Sequence, residues 1–233
     1  MQKSLSPLRG RIEFIVLLAL LVVAGGLWGF VELMEVARDA APHSFDTEIL
    51  LAFRVAGDPS APIGPSWMEE AVRDVTSLGG TVVLIFIALA TIIYLLLADK
   101  PAAALFVFAS IAGGQMLSSM LKLGVDRPRP DLVSHLVEVH TLSFPSGHAM
   151  LSAVTYLTLG ALLTHILPGR AIKLYVLFLA VLVTFCVGVS RIYLGVHWPS
   201  DVLAGWCAGS AWAMLCWLIA RRFLRREHAN GGD

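Results

Sequence analysis

Along this chain, short polar clusters separate six long apolar runs, at 14–31, 81–98, 102–121, 149–166, 174–189 and 202–220. A helix needs ~20 residues to cross a hydrocarbon core of ~30 Å, and each run comes close to that length. The pattern therefore predicts an all-α bundle of six transmembrane helices. Runs two and three are parted only by Asp99-Lys100-Pro101, a tight turn whose proline suits the first position of the next helix. Runs four and five are joined by a second tight turn, His165-Ile166-Leu167-Pro168-Gly169-Arg170. No internal repeat breaks the series, and 227–233 reads as a disordered end. Residues 1–233 form one membrane domain on this reading, with an outer segment at 35–78, chemistry across 122–201 and a tail at 221–233.

The outer segment has a pattern of its own. Phe45, Ile49, Leu50 and Phe53 recur at helical spacing, with Asp46 and Glu48 placed for a favourable first turn. Ser66-Trp67-Met68-Glu69 has the form of a capping box opening a second short helix, which ends near Gly79-Gly80. Two arrangements suit these helices. They lie flat in the membrane interface with Trp67 as an anchor, or they pack on the bundle as a lid.

Composition supports the membrane assignment. Hydrophobic residues are 57% of the chain and charged residues 15%, too few polar groups to coat a soluble globule. Mean hydropathy is +0.77. A formal net charge of zero offers no field for nucleic acid. Cys186, Cys207 and Cys216 lie inside apolar runs without metal-ligand spacing, and read as buried small apolar residues. Lys3, Arg9 and Arg11 precede the first run as in a signal peptide, but the sequence around Gly29–Leu33 lacks a small-x-small cleavage site, so the run reads as a retained span.

Lysine and arginine set the expected orientation. With the N-terminus in the cytoplasm, that face carries Lys3, Arg9, Arg11, Lys100, Arg170, Lys173, Arg221, Arg222, Arg225 and Arg226. The opposite face carries Arg38, Arg54, Arg73, Lys122, Arg127, Arg129 and Arg191. Both termini are then inside, and the polar motifs described next are outside.

Three segments carry the chemistry: Lys122 to Pro130, Pro145-Ser146-Gly147-His148, and Ser190-Arg191 with His197 and Asp201. Arg129 and Arg191 suit a phosphate because a planar guanidinium donates to two oxygens at once, and Lys122 adds a point charge. Ser146 and Gly147 open the fourth run, where free amides, a hydroxyl and a glycine form a cradle for an anion. His148 then stands beside a leaving oxygen, where it can protonate it. His197 and Asp201 are about one helical turn apart, so the carboxylate can fix the imidazole tautomer and leave the other nitrogen free to attack phosphorus. Taken singly, each motif has a plainer explanation: snorkelling cations, an ordinary N-cap, a structural His–Asp pair. Their conjunction favours phosphoryl transfer. Arg127 stands closer to Lys122 and reads as a cation facing lipid headgroups. His43, His135, His140, His165 and His228 fit no motif and read as surface or loop residues, and Trp198 is the one tryptophan placed to shape a site. Gly205 and Gly209 form a small-residue face for helix packing.

The order Lys-x6-Arg-Pro, Pro-Ser-Gly-His, Ser-Arg-x5-His-x3-Asp resembles the type 2 phosphatidic acid phosphatase (PAP2) superfamily. That superfamily also holds vanadium haloperoxidases and bacterial acid phosphatases. Every motif position is filled, over about a third of the chain, and the six-run layout resembles the membrane lipid phosphatase branch, which includes undecaprenyl pyrophosphate phosphatases and phosphatidylglycerophosphatase B. The resemblance implies His197 as nucleophile, His148 as acid and base, Asp201 as orienter, and Lys122, Arg129, Ser146, Gly147 and Arg191 as phosphate ligands. It implies a lipid phosphate or pyrophosphate as substrate in a bacterial inner membrane. An isoprenoid pyrophosphate is favoured first, with phosphatidic acid and phosphatidylglycerophosphate next.

No cluster of carboxylates, cysteines or histidines has metal-ligand spacing, so neither metal nor other cofactor is expected. Expected partners are the lipid phosphate and membrane lipids, without nucleic acid. Two other readings use the same residues: a lipid phosphotransferase, with an alcohol replacing water, and a lipid transporter or flippase. A nucleophile beside its orienter speaks against transport, which needs none.

Overall fold

The computed structural model describes residues 6–39, 41–139 and 141–230. Among these residues the helices run in order α1 (Ser6–Arg38), α2 (Ser44–Ala52), α3 (Ser66–Ser77), α4 (Thr81–Leu97), α5 (Pro101–Lys122), α6 (Gly147–Ile166), α7 (Arg170–Tyr193) and α8 (Pro199–Asn230). α1, α5, α6, α7 and α8 each contain a stretch long and apolar enough to cross a membrane, and α3 with α4 forms a further candidate pair bent by 45°. The predicted apolar runs thus all fall on helices, several of them longer than the runs themselves. α8 carries its helix to Asn230, so residues 227–230 are helical where the sequence suggested disorder; 231–233 lie outside the described residues.

Lipid is the solvent for most of this surface. Val82, Phe86, Leu97, Leu105 and Phe178 are all more than half exposed, which only a hydrocarbon environment makes favourable. This is an integral membrane protein. The cysteines are accordingly half-buried rather than buried, because a helix in a bilayer need not hide its apolar side chains.

α6 lies at the centre, against α5, α7 and α8, and α1 packs along α8. Small residues let these backbones approach closely. A Cβ on Gly205 would lie 2.8 Å from the Ser146 carbonyl, and one on Gly209 would lie 2.5 Å from the Met150 carbonyl. The close approach of α8 to α6 brings Asp201 beside the start of α6, where the Ser146 amide donates to the Asp201 carbonyl at 3.0 Å.

Segment 35–78 is folded onto this bundle. Leu50 of α2 is fully buried with Val133, Ala149, Ile192, Trp198 and Val202. Met68 and Val72 of α3 pack on Tyr193, Leu194 and Val196. Between the two helices runs an antiparallel hairpin, β1 (Arg54–Val55) and β2 (Asp58–Pro62), turning at Gly57 with φ 85°. This hairpin leaves no signal in the sequence, because its strands are too short for an alternating pattern to register. Nor does the capping box form: Pro65 is the N-cap of α3, without a side-chain cap, and Glu69 Oε1 instead accepts from Arg73. Proline at the cap leaves Ser66 inside the first turn, one position too late to reach back.

Candidate active site

The ends of α5 and α7 and the beginnings of α6 and α8 meet at one pole of the bundle, with the loop 123–146 laid over them. α5 ends on Lys122, so its ammonium projects past the last turn. Its Nζ donates to Thr141 Oγ1 at 3.2 Å. A Cβ on Gly147 would lie 3.7 Å from that Nζ, so the missing side chain keeps the space between α6 and Lys122 clear. Arg129 donates through Nε to the Thr141 carbonyl at 2.7 Å and through Nη2 to Thr141 Oγ1 at 3.1 Å. Thr141, which the sequence analysis did not single out, thereby aligns two cations.

Arg191 reaches the site from the last turn of α7. It is buried, with Nη1 donating to Thr76 Oγ1 of α3 at 3.0 Å and Nε without a partner among the described residues. His148 lies within electrostatic reach of Arg191, His197, Lys122 and Arg129. Among the described residues, none of Lys122, Arg129 and Arg191 has a carboxylate within 4.0 Å. These cations repel one another; Asp201 offsets part of the repulsion on Lys122 and Arg129 from a distance, and an anion bound between them would relieve the rest.

Ser146 is the N-cap residue of α6, yet its buried Oγ makes no cap bond and has no partner among the described residues. Its amide is already committed to Asp201, so of the two expected amides only that of Gly147 lacks an acceptor by its place in the first turn. Ser146 can therefore offer its hydroxyl, and Gly147 its N–H. An orphaned buried hydroxyl costs free energy unless something fills the site.

His197 sits in the turn before α8. Arg129 Nη1 lies 3.2 Å from its Nε2. A guanidinium only donates, so Nε2 is the acceptor and the ring proton is on Nδ1. Nδ1 faces Asp201 Oδ2 and Ser143 Oγ, each at 3.5 Å. Burial drives the His197 pKa down to about 4; the Asp201 carboxylate pulls it up, but Arg129 and Arg191 reinforce the fall. The imidazole is neutral at pH 7, with a lone pair aimed at the cations.

Arg127 corrects the sequence reading. It does not face lipid headgroups: it is 5% exposed and bridges two fully buried carboxylates, donating to Asp46 Oδ2 at 2.8 Å and Asp201 Oδ1 at 2.7 Å. Its guanidinium also lies 5.6 Å from the centroid of the Trp198 ring, and that indole donates to the Pro128 carbonyl at 3.1 Å. Burial follows from pairing, since a charge flanked by two carboxylates and an aromatic face has no need of water. Of the remaining histidines, His43 pairs with Asp39, His135 meets the Pro130 carbonyl and His165 stacks on Trp217. His140 and the side chain of His228 lie outside the described residues.

A profile of the PAP2 superfamily matches residues 103–225, which contain all three motifs. The chain belongs to the PAP2 superfamily. Phosphatidylglycerophosphatase B of Bacillus subtilis is 32% identical over 144 residues, covering 61% of this chain and 70% of that one. Undecaprenyl-diphosphatase of Sulfolobus acidocaldarius is 41% identical over 68 residues, 29% of each chain. The crystal structure of the transmembrane PAP2-type phosphatidylglycerolphosphate phosphatase of Bacillus subtilis superposes with a TM-score of 0.78 at 27% identity, covering 87% of this chain and 97% of that one. With these relatives, this is a PAP2-type phosphatase.

Proposed function

We propose that this PAP2 protein hydrolyses a lipid phosphate or pyrophosphate through a phosphohistidine on His197. The observation that carries the reading is Arg129 Nη1 at 3.2 Å from the neutral Nε2 of His197, with Arg191 in electrostatic reach of the same ring and Lys122 in reach of both arginines, none of the three having a carboxylate within 4.0 Å among the described residues. Substrate phosphate takes the space among these cations, the Ser146 hydroxyl and the Gly147 amide. Nε2 attacks phosphorus as the bond to the leaving oxygen breaks, and His148 delivers a proton to that oxygen. His148 then removes a proton from water, whose oxygen attacks phosphorus and frees His197. The cations stabilise the charge spread over the equatorial oxygens.

A groove supports the lipid part of the proposal. It has a volume of about 230 Å³ and runs between α4, α5 and α6, with Leu84, Ala88, Ile111, Leu151 and Thr155 among its walls. Leu151 and Thr155 follow His148 by three and seven residues, so they lie on the same face of α6, up to ~10 Å further along the helix axis. A tail in this groove would leave its phosphate beside His148. Each methylene buried there adds up to ~0.8 kcal/mol, which a soluble ester lacks.

Long-chain lipid phosphates are therefore expected to exceed glucose 6-phosphate in catalytic efficiency by at least about 100-fold, a gain that about four well-buried methylenes suffice to supply. An isoprenoid pyrophosphate is proposed first, because an outward-facing site suits carrier recycling, then phosphatidylglycerophosphate and phosphatidic acid. The test is one detergent system containing farnesyl pyrophosphate, both phospholipids and glucose 6-phosphate, with and without excess chelator. Since side chains supply the positive charge, release should persist in chelator. A soluble ester equalling the lipids would overturn the reading; phosphatidic acid in the lead would overturn only the narrower choice.

Sidedness is proposed from the positive-inside bias: the site faces the periplasm and both termini the cytoplasm. In a cysteine-free background, single cysteines at the exposed positions Ser60 and Ser134 should react with an impermeant thiol reagent on intact spheroplasts. One at Pro168, in the α6–α7 turn at the other pole, should react only after lysis. The reverse pattern places the site in the cytoplasm.

A further inference from the structure

We infer that Asp46, in the outer segment, is a positioning residue for catalysis, acting through Arg127 on the carboxylate that orients His197. The inference rests on the proposed role of His197.

The contacts form one buried chain. Asp46 Oδ2 accepts from Arg127 Nη2 at 2.8 Å, and Arg127 Nη1 donates to Asp201 Oδ1 at 2.7 Å. Asp46 is also bound to the first turn of α8, accepting from the Ser200 amide at 2.8 Å and the Ser200 hydroxyl at 2.6 Å. Ser200 Oγ in turn lies 2.7 Å from Arg127 Nη1, closing the ring. The far oxygen of Asp201 accepts from the Ser143 hydroxyl and from the Trp198 amide at 2.9 Å, and faces His197 Nδ1. With one oxygen held by Arg127 and the other by Ser143 and Trp198, the carboxylate plane cannot rotate.

Two features separate this chain from an ordinary buried ion pair. First, Arg127 serves two carboxylates, so the strength of its hold on Asp201 depends on how much of its charge Asp46 takes up. Without Asp46, the whole guanidinium is available to Asp201 Oδ1, and negative charge is drawn away from Oδ2 and from His197. Second, Asp46 lies on α2, 81 residues from Arg127 and 154 from Ser200. Docking of the outer segment thus completes the orienting of the nucleophile.

The test uses full-length protein purified in detergent, with Asp46→Asn made alone and with Asp201→Asn. Asp46→Asn keeps the volume but removes the charge, and its amide can still accept from Arg127. Its kcat is expected to fall about 10- to 100-fold, as for other groups that orient a reacting side chain, with KM changed less than about twofold. In the Asp201→Asn background the same change should cost less than about twofold, because the carboxylate through which Asp46 acts is gone. An equal loss in both backgrounds makes Asp46 merely structural and overturns the inference. A readout independent of turnover is the 15N spectrum of histidine-labelled protein, with the His197 signal identified by its loss in His197→Gln. The wild type should show the Nδ1–H tautomer, and Asp46→Asn a mixture. An unchanged His197 signal also overturns the inference. Absent turnover in the wild type instead overturns the proposed function, and the tautomer still decides the role of Asp46.

Discussion

Replacing His197 with alanine should lower phosphate release from a lipid phosphate at least about 10⁴-fold, equivalent to ~5 kcal/mol of lost transition-state stabilisation. The same change should abolish any acid-labile, protein-bound phosphate trapped by rapid quench. The size of the effect follows from the geometry. His197 Nε2 is the lone pair toward which Arg129 points from 3.2 Å, and the cations surrounding it have no work without a group attacking between them. His148→Ala should behave differently. The nucleophile survives, so labelled protein should accumulate with a good leaving group while turnover falls most with poor ones. The sign of the pH dependence is also set. His197 is neutral above its depressed pKa of about 4 and loses its lone pair as pH falls through that value. Once the substrate's own ionisation is allowed for, the acid limb that His197 contributes to kcat/KM should lie near pH 4 rather than at ~6.5, the ordinary histidine value. Near-normal turnover in His197→Ala would remove the phosphohistidine from the mechanism.

The second large effect is expected at Arg191. Arg191→Met should reduce kcat about 10²- to 10³-fold, the range seen when one preorganised donor to developing charge is lost. Inhibition by orthovanadate, whose trigonal-bipyramidal form resembles the transition state, should weaken in parallel. Arg191 is held before substrate arrives, by Thr76 Oγ1 at 3.0 Å, and its buried Nε has no partner among the described residues. The group is therefore aimed in advance, and little reorganisation is needed when phosphate enters. Arg191→Lys should recover little, because an ammonium cannot bond Thr76 and two phosphate oxygens in one plane. Thr76→Val should cost only a few-fold, since it loosens the guanidinium without removing it. Thermal unfolding in detergent separates these effects from loss of fold. If Arg191→Met retains kcat while only KM rises, Arg191 binds substrate and transition state alike, and its assigned part in catalysis fails.

These predictions draw on the sequence and the tertiary structure unequally. Membrane residence, the helical runs and the three motifs were all legible in the sequence, because each depends on neighbouring residues. An apolar run long enough to span a bilayer is a local property, and so is the four-residue spacing of His197 and Asp201. That Lys122, Arg129, His148 and Arg191 surround one histidine could be expected only through resemblance, since no periodicity relates α5 to α7.

What only the tertiary structure decided concerns pairing. In sequence Arg127 is one more cation beside a proline, and its burial depends on Asp46, 81 residues away. A charged side chain enters a protein interior when partners close around it, and partners so distant leave no pattern in the residues between them. For the same reason α2 and α3 could be anticipated as helices, but not as the elements that bring Asp46 to the α8 turn and Thr76 to Arg191. Ser146 shows the converse. The sequence placed its hydroxyl at a helix start, where a cap bond was the ordinary outcome, and the fold left that hydroxyl buried without a partner. Local spacing determined which groups were available; the packing of α2, α3 and α8 around them decided which were neutralised and which were left to meet an anion.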